Sequence, residues 1–278
     1  MQKVILITGC SSGIGAALAR EFNKKGHLVF ATARRKESLA GLEAEGVRGL
    51  ALDVNDDASI AAAMDVVQKE AGHLDLLVNN AGIAQVGAVV DLKREDLRGQ
   101  YETNVIAPVI VTASALPLLR AGVARNGSAT LANVGSIVGL FTTPFAGAYC
   151  SSKAALHSLT DALRMELAPF GIHVVAIQPG GVRSSFGEHA EAAIRLPVNS
   201  IYQRAEQGIL ARAQAGQQRA MLAEKFVVPV AERLLLTPPP RIIRGGTHRV
   251  RLPLLKRLLP AAAFDAKLSK LFRLDVLR

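Results

Sequence analysis

The sequence predicts a single α/β domain built on a doubly wound parallel sheet, and three observations carry that prediction. Strand-sized apolar runs alternate with helical patterns, the runs are apolar at every position rather than every second one, and a glycine-rich turn joins the first run to the first helix. Unbroken apolar runs mark strands covered by helices on both faces, and strand–helix alternation makes neighbouring strands parallel. With 278 residues, half of them apolar, the chain can bury the core that such a domain needs.

Strands are expected at residues 4–8, 28–33, 49–52, 74–78, 130–134 and 174–177. Helical segments fall between them at 14–25, 58–71, 94–119 and 148–168, the last rich in Ala, Leu, Met and Glu, all strong helix formers. After Pro179 the alternation fails, and residues 183 to about 225 read as a polar, helix-prone segment following the sixth strand. Ligands of open α/β sheets bind beyond the carboxyl ends of the strands, so this segment is placed to act as a substrate lid. Its Phe186, Ile194, Leu196, Val198, Ile201 and Tyr202 either line an apolar pocket or form the core of the lid. Thr237-Pro238-Pro239-Pro240 is the strongest breaker in the chain. It divides a body, residues 1–240, from a basic, Leu-rich tail, 241–278, in which Arg241-Ile242-Ile243 adds a short last strand and 252–259 and 264–274 show helical spacing.

Apolar stretches such as residues 4–7 and 174–177 are far shorter than the roughly 20 residues of a membrane-spanning helix. The chain enters a strand at Val4 with no signal-peptide pattern, and the expectation is a cytoplasmic protein. Cys10 and Cys150 form no CxxC pair, which fits a reducing compartment and a packing role. The six histidines are dispersed, and no metal site is expected. Net charge is +10, but residues 241–278 hold ten Lys or Arg against two Asp, a net of +8, leaving the body nearly neutral. The tail is a solvated helix, an amphipathic surface for anionic lipid, or a segment that packs on a neighbouring subunit. With only Phe264 and Phe272 as aromatics and no recognition motif, it is not expected to bind nucleic acid.

Four features carry chemistry. Thr8-Gly9-Cys10-Ser11-Ser12-Gly13-Ile14-Gly15 sits at the first strand-to-helix turn, where glycines let backbone approach a pyrophosphate favoured by the helix N-terminus. The same residues spell GxSxG, a hydrolase nucleophile elbow with Ser11 as nucleophile. That elbow needs earlier strands and an oxyanion loop, and only eight residues precede Gly9. Tyr149 and Lys153 form a YxxxK pair on one helix face. A cation beside a phenol favours the phenolate and draws its pKa down from about 10 towards the working range, making Tyr149 a proton-transferring group. Ser136 follows the fifth strand, where a hydroxyl can steady charge on a substrate oxygen, and Asn79-Asn80-Ala81-Gly82 ends the fourth. Taken singly, these are also a tight turn, a surface pair, a turn serine and an Asx turn.

Together, TGxxxGIG, NNAG, a mid-helix Asn, Ser and YxxxK resemble, in order and spacing, the short-chain dehydrogenase/reductase family, over roughly residues 1–240. The turn spacing is similar to its shorter TGxxxGxG/YxxxK branch, a Rossmann-type fold. The resemblance implies that Tyr149, Lys153, Ser136 and Asn104 are catalytic, with Asn104 holding a water in a proton relay to Lys153, and Lys153 also binding the nicotinamide ribose. It implies cofactor contacts from Gly9, Ser11, Ser12, Gly13, Ile14 and Gly15, from Asp53 and Val54 at adenine, and from Asn80, Ala81 and Gly82 at the adenosine. Pro179, Gly180 and Val182 would border the carboxamide, with Ser184 where the family usually has Thr. It also implies a homodimer or homotetramer, formed through the helices that contain Asn104 and Tyr149.

Cofactor choice is read at the end of the second strand, where NAD enzymes commonly present an acid to the ribose hydroxyls. Here Ala33 is followed by Arg34, Arg35 and Lys36, cations suited to a 2′-phosphate, so NADP(H) is expected over NAD(H). The expected activity is hydride transfer between nicotinamide and a lipophilic secondary alcohol or ketone, or an aldehyde. The competing reading is an NADP(H)-binding sensor with the same fold and no turnover; such proteins often lose the Tyr or Lys retained here.

Overall fold

The computed structural model describes residues 1–277; Arg278, the last residue of the expected tail, lies outside the described residues. The strands are β1 (Val4–Ile7), β2 (Leu28–Ala33), β3 (Arg48–Ala51), β4 (Leu76–Asn79), β5 (Ala129–Val134), β6 (Ile172–Pro179) and β7 (Ile242–Gly245). All pair in parallel, in the order β3-β2-β1-β4-β5-β6-β7. The order reverses between β1 and β4, and at that switch point the loops after the two strands diverge and leave a crevice.

The helices are α1 (Gly13–Lys24), α2 (Ala40–Ala44), α3 (Asp57–Glu70), α4 (Arg94–Tyr101), α5 (Ala107–Asn126), α6 (Gly147–Leu167), α7 (Phe186–Ala192), α8 (Glu206–Gln214), α9 (Ala223–Leu234), α10 (Arg251–Leu258) and α11 (Ala261–Leu271). Ile5 and Ile7 of β1 join one apolar layer with α1, α2 and α9, while Val4 and Leu6 join the other with α3, α5 and the end of α6. This two-sided burial is why the strands read as unbroken apolar runs. Each fully buried Ile or Leu contributes about 1.5–3 kcal/mol relative to exposure.

Two expectations are corrected. The helix expected over 94–119 is not uniform: it carries a π-turn, Glu102–Ile106, between α4 and α5, and it runs on to Asn126. By length and composition the run from Arg94 to Asn126 is apolar enough to cross a membrane, yet half of its most apolar stretch is buried, with α5 packed beneath the sheet. The strand expected from residue 74 begins at Leu76, because the Leu74 amide bonds the Leu118 carbonyl of α5 rather than another strand. The short last strand expected at Arg241-Ile242-Ile243 is present as β7, where Ile242–Gly245 pair with Ala176–Pro179.

Beyond β7 the tail folds back on the body. Phe264, Leu268 and Phe272 are buried in a third apolar cluster with Phe141, Phe145 and Ile209. Phe141 and Phe264 meet edge to face at 5.9 Å, the preferred aromatic geometry.

Candidate active site

The Gly-rich turn comes first in the chain. Gly9 and Gly13 have φ of +70° and +60°, a region that L side chains rarely adopt. A Cβ on Gly9 would stand 2.8 Å from Ala81 Cα, and one on Gly13 would stand 2.7 Å from Ser184 Cβ. A Cβ on Gly15 would collide with the Gly9 carbonyl and Asn80 Nδ2. Ser12 is the N-cap of α1 but gives no side-chain cap; its hydroxyl bonds Ser185 at 2.7 Å instead. The first-turn amides of Gly13, Ile14 and Gly15 therefore lack a capping acceptor, an arrangement that fits a pyrophosphate.

Asn80 locks this turn to the end of β4. Its Nδ2 donates to the Thr8 and Gly9 carbonyls, both at 2.9 Å, while Asn80 and Ala81 amides donate to Thr8 Oγ1 at 3.0 Å. Asp53 is half-buried, accepts from the Asn55 amide at 3.0 Å and precedes buried Val54. Gly180 bonds Gly245 and Val182 bridges to Met221. Ser184 is held through its amide by Gln217 at 3.0 Å. Arg34, at the end of β2, is exposed, as is Arg35; Lys36 lies 3.7 Å from Glu43. A cleft of about 280 Å³ beside the turn is lined by Ser11, Ser12, Arg20, Ser38 and Arg183, and lies away from Tyr149.

The second half of the site forms where β4, β5 and α6 meet. The π-turn directs Asn104 inward, and such turns often mark functional positions. Asn104 Oδ1 accepts from the Ile83 amide at 2.9 Å, and Nδ2 donates to Ile83 O at 3.0 Å and Ser152 Oγ at 3.1 Å. A Cβ on Gly82 would lie 3.2 Å from Asn104 Oδ1 and 3.5 Å from Lys153 Nζ, so all three are neighbours. Lys153 is buried and donates to the Val134 carbonyl at 2.8 Å. Ser136, buried, bonds towards Pro179 O at 3.5 Å and accepts from the Val138 amide at 3.3 Å. Tyr149 faces the Ser136 hydroxyl, with the Lys153 ammonium 6.0 Å from its ring centroid and the Phe186 ring at 5.6 Å.

The expected drop in the Tyr149 pKa is not found in the free protein. Burial pushes the phenol up to about 12, against smaller downward pulls from Ser136 and the Arg212 charge. The cation acting on it is Arg212 rather than Lys153, whose own pKa burial lowers to about 8. Desolvation disfavours any charged form, and here it outweighs the helix-face pairing.

The structure gives roles to Asn79, the first residue of the NNAG motif, and to His157, for which the motifs supplied none. Asn79 Nδ2 donates to Asn133, Thr112 and Pro108 at 3.0–3.1 Å, tying β4, β5 and α5 together. His157 accepts from the Ser136 amide at 3.4 Å, and burial holds its pKa down at about 4. Its place one turn after Lys153 was the available signal. Of the expected lid residues, Ile194, Leu196 and Tyr202 pack on the third cluster, but Val198 and Ile201 are 90% and 77% exposed and face outward. The end of the expected lid overlaps α9, which belongs to the α1 layer.

A dinucleotide-type fold with this site is that of a hydride-transferring enzyme. The family model for short chain dehydrogenases matches residues 3–194, and the chain belongs to the short-chain dehydrogenase/reductase family. It is 36% identical over 240 residues to a short-chain dehydrogenase of Penicillium ochrochloron, covering 84% of this chain and 86% of that one. It is 40% identical over 209 residues to the NADPH-dependent 1-acyldihydroxyacetone phosphate reductase of Schizosaccharomyces pombe, covering 72% and 68%. A short-chain dehydrogenase structure from Streptomyces avermitilis superposes with a TM-score of 0.80 at 31% identity, covering 99% and 98%. The chain is thus an oxidoreductase of a family that uses nicotinamide cofactors and small-molecule substrates.

Proposed function

We propose that this chain is an NADP(H)-dependent oxidoreductase acting on a lipophilic ketone or secondary alcohol, or an aldehyde, with Tyr149 as general acid and base. The observation that carries the reading is the meeting of Ser136, Tyr149, Lys153 and Asn104 at the carboxyl end of β5. When bound, the nicotinamide supplies or accepts hydride. Tyr149 passes the proton to or from the substrate oxygen, and Ser136 holds that oxygen by a hydrogen bond. Lys153 orients the cofactor ribose and, with Asn104 and Gly82 beside it, replenishes the proton.

Arg34, exposed and free of any ion pair among the described residues, supports 2′-phosphate binding. The relative named for reducing an acylated ketone phosphate with NADPH supports both the cofactor and a lipophilic carbonyl. The remaining cofactor contacts are proposed for Gly9, Ser11 to Gly15, Asp53, Val54, Asn80 to Gly82, Pro179, Gly180, Val182 and Ser184. Exposed Leu97, Ile106 and Ile110 support self-association through the α4–α5 face. Exposed Val250, Leu254 and Leu258 among tail cations support contact with an anionic lipid surface. A cytoplasmic setting fits both.

The test is oxidation of NADPH and NADH by the purified protein against hydrophobic ketones and aldehydes, with Tyr149→Phe alongside. Turnover reduced by about 10²-fold or more in the variant, with NADPH affinity intact, is expected. Equal turnover by the variant would refute the role of Tyr149.

A further inference from the structure

α8 carries one charged side chain into the interior. Arg212 is 9% exposed, its Nε donates to Thr143 Oγ1 at 2.6 Å, and its guanidinium lies 6.0 Å from the Phe272 ring centroid. Among the described residues three other side chains of Asp, His or Lys are buried, His73, Asp75 and Lys153, and each is accounted for. Asp75 faces His73 at 3.5 Å, and Lys153 belongs to the site at the end of β5. Arg212 has no carboxylate within ion-pair distance among the described residues.

A buried cation without a counter-charge costs several kcal/mol in desolvation. The Thr143 hydroxyl and the Phe272 ring offset part of that cost, but neither supplies a counter-charge. Ile209 and Ala213 on the same helix, with Phe141, Phe145 and Phe272 around them, form an apolar cluster that a Leu or Met would fill at less cost. The Thr143 hydroxyl engages one of five guanidinium N–H donors, leaving the planar fork for another acceptor.

Location says where that acceptor comes from. Thr143 Oγ1 is also 3.9 Å from the thiol of Cys150, the residue next to Tyr149. Arg212 is close enough for its charge to act on the Tyr149 phenol. The cation is therefore linked through Thr143 to the first turn of α6, which carries Tyr149, and its other neighbours are apolar.

We propose that Arg212 is an anion anchor, and that the substrate is an apolar carbonyl or alcohol compound carrying an acidic group, a carboxylate or a phosphate, which the Arg212 fork holds while the reacting carbon lies at Tyr149. The proposal rests on the oxidoreductase reading for the reaction, but not for the binding of the anion. It gives the lid two functions, apolar cover from Ile194, Leu196 and Tyr202 and charge recognition from α8.

The test has a binding arm and a turnover arm. Octanoate, octyl phosphate and octanamide are titrated calorimetrically into NADPH-saturated protein, wild type, Arg212→Met and Arg212→Lys. A charged hydrogen-bonded contact worth about 1.5–3 kcal/mol corresponds to roughly 10- to 150-fold in affinity. At least one of the two anions should bind wild type about tenfold or more tightly than the amide, and the stronger of them identifies the acid. Arg212→Met should erase that preference and Arg212→Lys retain part of it, with melting temperatures confirming that both variants fold. No preference for either anion in wild type, or a preference that persists in Arg212→Met, overturns the anchor.

In the turnover arm, 7-oxooctanoate is compared with its methyl ester. Arg212→Met should raise KM for the acid more than about tenfold and KM for the ester by less than about threefold, while any change in kcat shared by the two substrates reports its charge at Tyr149. An equal rise in KM for both, or none for the acid, would leave Arg212 only its effect on the electrostatics of Tyr149 and overturn the proposal. Anion preference without turnover of either ketone would keep the anchor and count against the reaction proposed above.

Discussion

Lys153 Nζ donates to the Val134 carbonyl at 2.8 Å, a bond that joins the middle of α6 to the last residue of β5. Four residues earlier on the same helix Tyr149 turns towards Ser136, so this one contact fixes the height of both side chains over the sheet edge.

Burial of that ammonium makes stability depend on pH. The folded Lys153 pKa is about 8 against 10.5 as the ordinary value. Between those values the unfolded chain binds more protons, so stability from this group rises with pH across the window and is lost as pH falls through 8. Urea unfolding of cofactor-free wild type and Lys153→Met at pH 7.5 and pH 10 should show the difference moving in favour of wild type at the higher pH. A constant difference would contradict this.

Gly15→Ala forces a methyl group into the Gly9 carbonyl and Asn80 Nδ2. Backbone cannot rotate away as a flexible side chain does, so a loss of about 1–3 kcal/mol is expected. Thermal unfolding should show it, together with weaker NADPH binding. Gly99→Ala, which meets nothing within 4 Å, serves as control and should be neutral or better.

For cofactor choice the decisive residue is Arg34. Its replacement by Ala should raise KM for NADPH at least about tenfold and leave NADH within about twofold, because only NADPH carries the 2′-phosphate. Steady-state kinetics with both cofactors checks this, and parallel changes would remove Arg34 from the phosphate site.

The tail makes a fourth prediction. Phe264 is 2% exposed against Phe141 and the lid cluster. Phe264→Ala should cost about 3–5 kcal/mol if α11 unfolds together with the sheet. Calorimetry giving a single, lowered transition supports one cooperative body. A small early transition, with the main one unmoved, would show the tail as a separate unit.

Much of this was legible in the chain itself. Strand runs such as Val4–Ile7 and Leu28–Ala33 are local signals, because two-faced burial leaves every residue apolar. Ser136 after β5 and the Tyr149–Lys153 pair were read from the chain itself, since parallel topology brings strand carboxyl ends to one edge, whereas Asn104 was implied only by the family resemblance. The π-turn that aims Asn104 was not legible, because Glu102–Ile106 carries no breaker and ordinary helix propensities continue through it.

By itself the sequence determined what repeats over a few residues: strand and helix periods, the left-handed glycines of the first turn, and the shared face of Tyr149 and Lys153. Tertiary structure alone decided that Arg212 meets Thr143, 69 residues away, and that Phe264 and Phe272 close the lid cluster instead of leaving a free tail. The reason is physical. Hydrophobic attraction is non-directional, so a Leu- and Phe-rich helix encodes that it must be covered but not by what, and the electrostatics at Tyr149 follow from that choice of neighbours.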